Sequence, residues 1–180
     1  MTISSHNGTP FNYSPEALAE VQGLMKKYPE GRHISAIIRA LHIAQEENSG
    51  WLSIAAMDHV AEVLHITSIE VYEVATFYSM YNLQPVGKYV LEVCHTGPCA
   101  IEGAERLIAY IQHKLGIKTG ETTADGMFTL KEVECLGACG YAPMMQVGEF
   151  FHEHLNEEKM DRFFEDCRAG KVNKGTWKMH

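Results

Sequence analysis

The sequence has no run of about 18 uninterrupted apolar residues, the length a helix needs to cross a bilayer, so no spanning helix is expected. The first twenty residues hold no Lys or Arg and no continuous apolar core, which argues against a secretory signal. Basic charge is scarce: 15 Lys and Arg face 23 Asp and Glu, a formal charge of −8 at pH 7. That balance repels phosphates, and the one lysine-containing stretch, Lys171 to Lys178, reads as a solvated end, so no nucleic-acid partner is expected. There is no Gly-x-Gly-x-x-Gly segment to cradle a dinucleotide, no nucleophile beside an evident base, and no internal repeat. Cysteine is sparse and odd in number at five, and four of the five fall in two close pairs. Without an export signal, that pattern favours metal ligation over a disulfide framework.

What is present suits a folded domain: 46% of the 180 residues are hydrophobic and 21% charged. Residues 1–12 are polar and read as a loose leader. Ser14-Pro15 then supplies an N-cap and a first-turn proline, followed by Leu18, Val21, Met25 and Tyr28 at helical spacing up to Pro29-Glu30-Gly31. A second helix is expected over 33–47 with Ile34, Ile37, Ile38 and Leu41 on one face. A third starts near Ser53 and groups Ile54, Met57, Ala61 and Leu64. Thr67-Ser68-Ile69-Glu70 reads as a capping box opening a fourth, which continues through Val71, Val74 and Phe77. Four short amphipathic helices over 13–84 need one another's apolar faces and predict a helical bundle.

Past Pro85 and Gly87 the pattern changes. Residues 88–94 suit a strand, and Ile101, Ala104, Ile108, Ile111 and Leu115 form a helical stripe ending at Gly116. Strands are expected near 127–134, 143–147 and 150–154, the last two pairing across Gly148-Glu149. A final helix over 156–169 buries Met160, Phe163, Phe164 and Cys167. The order β-α-β-β-β-α predicts an α/β domain over 85–170 that starts with a parallel crossover, leaving 171–180 as a tail. The chain is therefore read as α+β in two parts.

Four residues separate Cys94 from Cys99, three separate Cys135 from Cys139, and 35 lie between the pairs. Each pair is expected in a loop just after a strand, so one end of the sheet can converge four sulfurs. Four thiolates, two per iron, satisfy a 2Fe–2S cluster, whose charge with its thiolates is about −2 oxidised and about −3 reduced. Such charge needs donors. Gly97, Gly137, Ala138 and Gly140 let amides approach, and Cys99 is expected at the N-terminus of the 101–115 helix. Four thiolates equally suit structural zinc, whose ligand pairs usually lie two to four residues apart. Disulfides, idle thiols or a thiol oxidoreductase also stay open, although the last departs from Cys-x-x-Cys spacing. Spacing establishes a candidate thiolate site and does not choose the metal.

At these residues the chain resembles a known family, the thioredoxin-like 2Fe–2S subunits (E subunits) of respiratory NADH:quinone oxidoreductase, complex I. The stretches that carry it are Gly50-Trp51-Leu52, VYEVATFYSMYNLQPVGKY at 71–89, and Cys94 with Cys99. KLGIKTGETT at 114–123, FTLKEVECLGAC at 128–139 and Ala142-Pro143-Met144-Met145 complete it. The resemblance extends over roughly residues 33–170. It implies an N-terminal helical bundle followed by a thioredoxin-like α/β ferredoxin domain, with one 2Fe–2S cluster on Cys94, Cys99, Cys135 and Cys139. It further implies electron exchange with the FMN of a partner that itself binds FMN and NADH, and other partners in the peripheral arm of complex I. The place implied is the cytoplasmic side of the inner membrane, or the mitochondrial matrix side in a eukaryote. The reaction would belong to the assembly, since this chain alone is not a complete enzyme. The same type of chain occurs in NAD-linked hydrogenases and formate dehydrogenases, which leaves the parent complex open.

Other residues invite a role and are read as structural. Cys167 shares an apolar stripe and reads as a buried thiol. His95 follows a ligand and is expected in solvent. His152 and His154 form an H-x-H pair on one strand face with no further ligand evident. Phe77, Tyr78 and Tyr81 read as helix packing or subunit contact.

Overall fold

The computed structural model describes residues 10–171 and 177–178, so residues 1–9 of the expected leader and 172–176 and 179–180 of the expected tail lie outside the described residues. The chain divides between Val86 and Gly87 into two compact units.

The first unit carries four α-helices. Helix α1, Pro15–Met25, starts where the Ser14 hydroxyl accepts the Ala17 amide at 3.2 Å. Its entry is also tied to the end of α2, because the Ser14 amide donates to Glu47 at 3.0 Å. A 3₁₀ turn, His33–Ala36, precedes α2, Ile37–Glu47. The tighter winding moves Ile34 off the apolar face expected for it and leaves it exposed. Helix α3, Ile54–Leu64, is capped by Ser53 and ends on His65 in left-handed conformation, φ 52°. Helix α4, Ser68–Phe77, opens with the expected capping box, the Thr67 amide donating to Glu70 at 2.9 Å. Leu41, Met57, Val60, Leu64 and Val71 form the centre of one core. Two tyrosines finish it by donating to α2 carbonyls, Tyr13 to Ala40 at 2.7 Å and Tyr81 to Ile38 at 2.8 Å. Phe77, read as helix packing or subunit contact, is 79% exposed on the last helical position, with its ring edge-on to Tyr78.

The second unit is a five-stranded sheet in the order β2-β1-β3-β4-β5. The strands are β1 Tyr89–Cys94, β2 Phe128–Val133, β3 Met145–Val147, β4 Phe150–His152 and β5 Trp177–Lys178. β1 pairs with β2 in parallel, with Cys94 opposite Val133, and with β3 antiparallel, with Val93 opposite Met145. Gly87 enters at a site where only glycine fits, since a Cβ there would lie 2.9 Å from the Phe128 amide nitrogen. Period-2 alternation places Leu91, Val93, Phe128, Leu130 and Met145 in one core. They pack on Leu107, Ile108 and Ile111 of one helix and Met160, Phe163 and Phe164 of another.

The helix expected over 101–115 is two helices. A four-residue turn, α5 Pro98–Ile101, is followed by Glu102-Gly103 and then α6 Ala104–Leu115. Gly103 at φ 97° makes the break, and Ile101, expected in the buried stripe, is 85% exposed. Helix α7, Glu157–Arg168, starts at Asn156, whose side chain accepts the Lys159 amide at 2.9 Å, and buries the four residues expected of it.

Candidate metal centre

Cys94 is the last residue of β1, hydrogen-bonded on both sides: its amide donates to Met144 at 3.2 Å, and the next amide, of His95, donates to Val133 at 3.2 Å. The chain then turns at Thr96-Gly97 into α5, which carries Cys99. Cys99 does not head the long helix as expected, and its amide is not free, donating to Thr96 at 3.1 Å. On the other side, Cys135 lies two residues beyond β2. Cys139 opens a 3₁₀ turn, Cys139–Tyr141, that packs against α5. The two loops thus meet at one end of the sheet.

The pairs sit in different surroundings. Cys94 and Cys99 are 2% and 1% exposed and share a small core with Ala104, Ala138, Met144 and Phe151. Cys135 and Cys139 are exposed, with their sulfurs 3.4 Å apart. The two pairs are electrostatic neighbours: the charge of Cys139 acts on Cys99, and that of Cys94 acts on Cys139.

Amide donors are aimed at the sulfurs. The Gly137 amide lies 3.4 Å from the Cys135 sulfur, and the Thr96 hydroxyl 3.8 Å from that of Cys94. Backbone donors at Thr96 and Leu136 reach Cys94, and one at Met144 reaches Cys99. Their effect on acidity differs. Burial pushes the Cys94 thiol up, but the donors from Thr96, Cys99 and Leu136 outweigh it and hold Cys94 below the usual thiol range. Burial, then the neighbouring Cys94, pushes Cys99 up to about 11. Cys139 is raised first by its hydrogen bond to Cys135 and then by burial. The neighbouring thiols are therefore driven apart in acidity, Cys94 downward and Cys99 upward.

This donor set fits a 2Fe–2S cluster: two pairs of thiols, each pair able to take one iron, with amides pointing at the sulfurs.

The other residues singled out fall elsewhere. His95 is half-exposed and faces Glu134 at 3.9 Å. His152 and His154 do not share a strand face, because β4 ends at His152 and His154 has φ 47°. His152 is buried edge-on against Phe163, and His154 packs beside Tyr141. Cys167 is buried in the main core, and burial raises its thiol to about 11. Sequence reasoning missed Thr96, Leu136 and Met144 as sulfur partners. They act through backbone groups, so only their place inside the matched motifs marked them.

The chain is similar to known proteins. A family model described as thioredoxin-like [2Fe-2S] ferredoxin matches residues 21–168. The E subunit of the NADH-quinone oxidoreductase of Rickettsia typhi is 46% identical over 155 residues, covering 86% of this chain and 91% of that protein. The mitochondrial NADH dehydrogenase [ubiquinone] flavoprotein 2 of Dictyostelium discoideum is 40% identical over 173 residues, 96% of this chain and 70% of that protein. Among solved structures, an NAD+-reducing [NiFe]-hydrogenase in the air-oxidised state superposes with a TM-score of 0.65 over 74% of this chain. This chain spans only 23% of that polypeptide, and at 19% identity the likeness is one of fold.

Proposed function

The chain belongs to the thioredoxin-like [2Fe-2S] ferredoxin family, and from that premise we propose that it is the electron-transfer subunit of an NADH:quinone oxidoreductase, holding one 2Fe–2S cluster on Cys94, Cys99, Cys135 and Cys139 and exchanging electrons with the FMN of a flavin-bearing partner. The observation that carries this reading is the convergence of a buried and an exposed thiol pair at one end of the sheet, with amides aimed at the sulfurs. When bound, the cluster supplies a one-electron centre. The residues of this chain do the rest. Cys94 and Cys99 anchor it in the protein, the amides of Thr96, Leu136, Gly137 and Met144 offset negative charge, and Met144 and Phe151 exclude water from the inner side.

The exposed side, with Cys135 and Cys139, is where a partner's redox group can approach. The helical unit at 13–84 then serves assembly with other peripheral-arm subunits, and the cluster domain at 85–170 serves electron transfer. Among the described residues no helix is long and apolar enough to cross a membrane; attachment through the complex, on the cytoplasmic side or the matrix side in a eukaryote, is part of the same proposal.

Iron, acid-labile sulfide and zinc analysis of the anaerobically purified chain tests the reading. About two irons and two sulfides per chain, with an electron spin resonance signal on reduction, are expected; one zinc and no sulfide would overturn it. Copurification with the flavin-bearing partner and identification of the other bound chains distinguishes complex I from a hydrogenase or formate dehydrogenase.

A further inference from the structure

The two thiol pairs differ in a property that metal ligation does not require, namely which of them a reagent in solution can reach. Cys135 and Cys139 are exposed with sulfurs 3.4 Å apart, whereas Cys94, Cys99 and the fifth cysteine, Cys167, are each at most 2% exposed. A disulfide bond is about 2.05 Å long, so the exposed sulfurs need approach only about 1.3 Å further. The segment between them can give: Gly137 has open space around it, and the pair is joined by the loop 136–138, with Cys139 opening a 3₁₀ turn, rather than held in a strand.

We propose that in the cluster-free chain Cys135 and Cys139 close to an intramolecular disulfide by exchange with a small-molecule disulfide such as oxidised glutathione, while Cys94 and Cys99 stay reduced. The exposed pair is then a redox-controlled latch on cluster insertion; its meaning as a latch rests on the cluster reading above, but its closure does not. The thiolate of Cys135, whose sulfur has the Gly137 amide beside it, attacks the small disulfide, forms a mixed disulfide and releases one thiolate. The thiolate of Cys139 attacks the Cys135 sulfur, forms the internal bond and releases the second. The two cysteines lose two electrons and two protons, and the small disulfide gains both as two thiols. A closed pair leaves two of four ligands, so insertion waits for a dithiol reductant.

The test uses the full chain, stripped of metal under anaerobic conditions, then incubated with oxidised glutathione. Peptide mapping without reduction should show the loss of two hydrogens in a peptide spanning Cys135 and Cys139. Iron and sulfide uptake should fall at least tenfold and recover with dithiothreitol. Cys139→Ala should instead hold glutathione on Cys135. A bond between Cys94 and Cys99, a bond across the pairs, or stable glutathione on both exposed cysteines of the unaltered chain would overturn the proposal. A chain that closes as described yet takes up no iron and sulfide after reduction sinks the cluster reading alone. One that takes them up but never closes sinks the latch alone.

Discussion

Cys94 and Cys99 belong to the packed interior, whereas Cys135 and Cys139, only a short distance away, belong to the surface, and the strands that deliver them explain why. β1 is a central strand with partners on both sides, and Cys94 is its last paired residue, so the sheet itself sets that sulfur. β2 is an edge strand, and its cysteines come after it ends, in a turn through Gly137. The buried half is therefore held by packing and the exposed half by loop conformation. Changes to packing should act on the first and changes to backbone freedom on the second.

The largest difference is expected from conservative ligand replacement. Cys94→Ser places an oxygen ligand where water cannot solvate it and should reduce iron content to about a tenth or less, whereas Cys139→Ser, in solvent, should keep about half or more. Equal retention in the two variants would erase the distinction. Next comes the wall behind the buried pair. Phe151→Ala should cost about 3–5 kcal/mol, read from urea melts, because the ring is enclosed beside Cys94, Cys99 and Met144. Smaller is Gly137→Ala: φ 79° is unfavourable for alanine by about 1–2 kcal/mol, yet its Cβ meets no atom within 4 Å. Its effect should stay at the exposed pair, as faster thiol alkylation there and unchanged protection of Cys94 and Cys99.

The smallest effect expected is a pH dependence. His152 is buried with no partner for Nε2, and burial holds its pKa below the ordinary 6.5. As pH falls from 6.5 towards the lowered folded value, the unfolded chain takes up a proton that the folded chain refuses, so stability falls; above 6.5 neither state is protonated and the contribution vanishes. His42, lowered first by burial and then by Arg39, acts in the same direction. Urea melts between about pH 7.5 and about pH 5.5 should show this decline, reduced but not removed by His152→Leu. Since His152 is next to Phe151 on β4, acid should loosen the buried half before the exposed one. An unchanged slope in the variant would disprove the assignment.

Local chemistry made much of this legible in the amino-acid order. Ser14-Pro15 and Thr67-x-x-Glu70 announce their helices because a cap is a contact within four residues. β-Branched and aromatic residues in 88–94 marked β1, and β2 falls within the strand expected near 127–134. Failures came where two signals competed. Ile101 fits the period of the α6 stripe, but Gly103 breaks the helix and turns it outward. His152 and His154 fit a strand period, but the strand ends between them. Phe77 fits the α4 period, yet whether a neighbour covers it depends on tertiary packing that periodicity does not record. The sulfur donors at Thr96, Leu136 and Met144 are main-chain groups, which every residue has and no side chain announces.

The pairing of β1 on both sides has a kinetic consequence. A site whose charge alternates between two values loses speed when its surroundings must rearrange at each change. Here the strand that ends in Cys94 is fixed by hydrogen bonds to β2 and β3, and amide dipoles are already aimed at the sulfurs in the folded chain. With a 2Fe–2S cluster held there, the inner side of the site would change charge with little rearrangement of its own groups. That favours transfer in either direction under a small driving force.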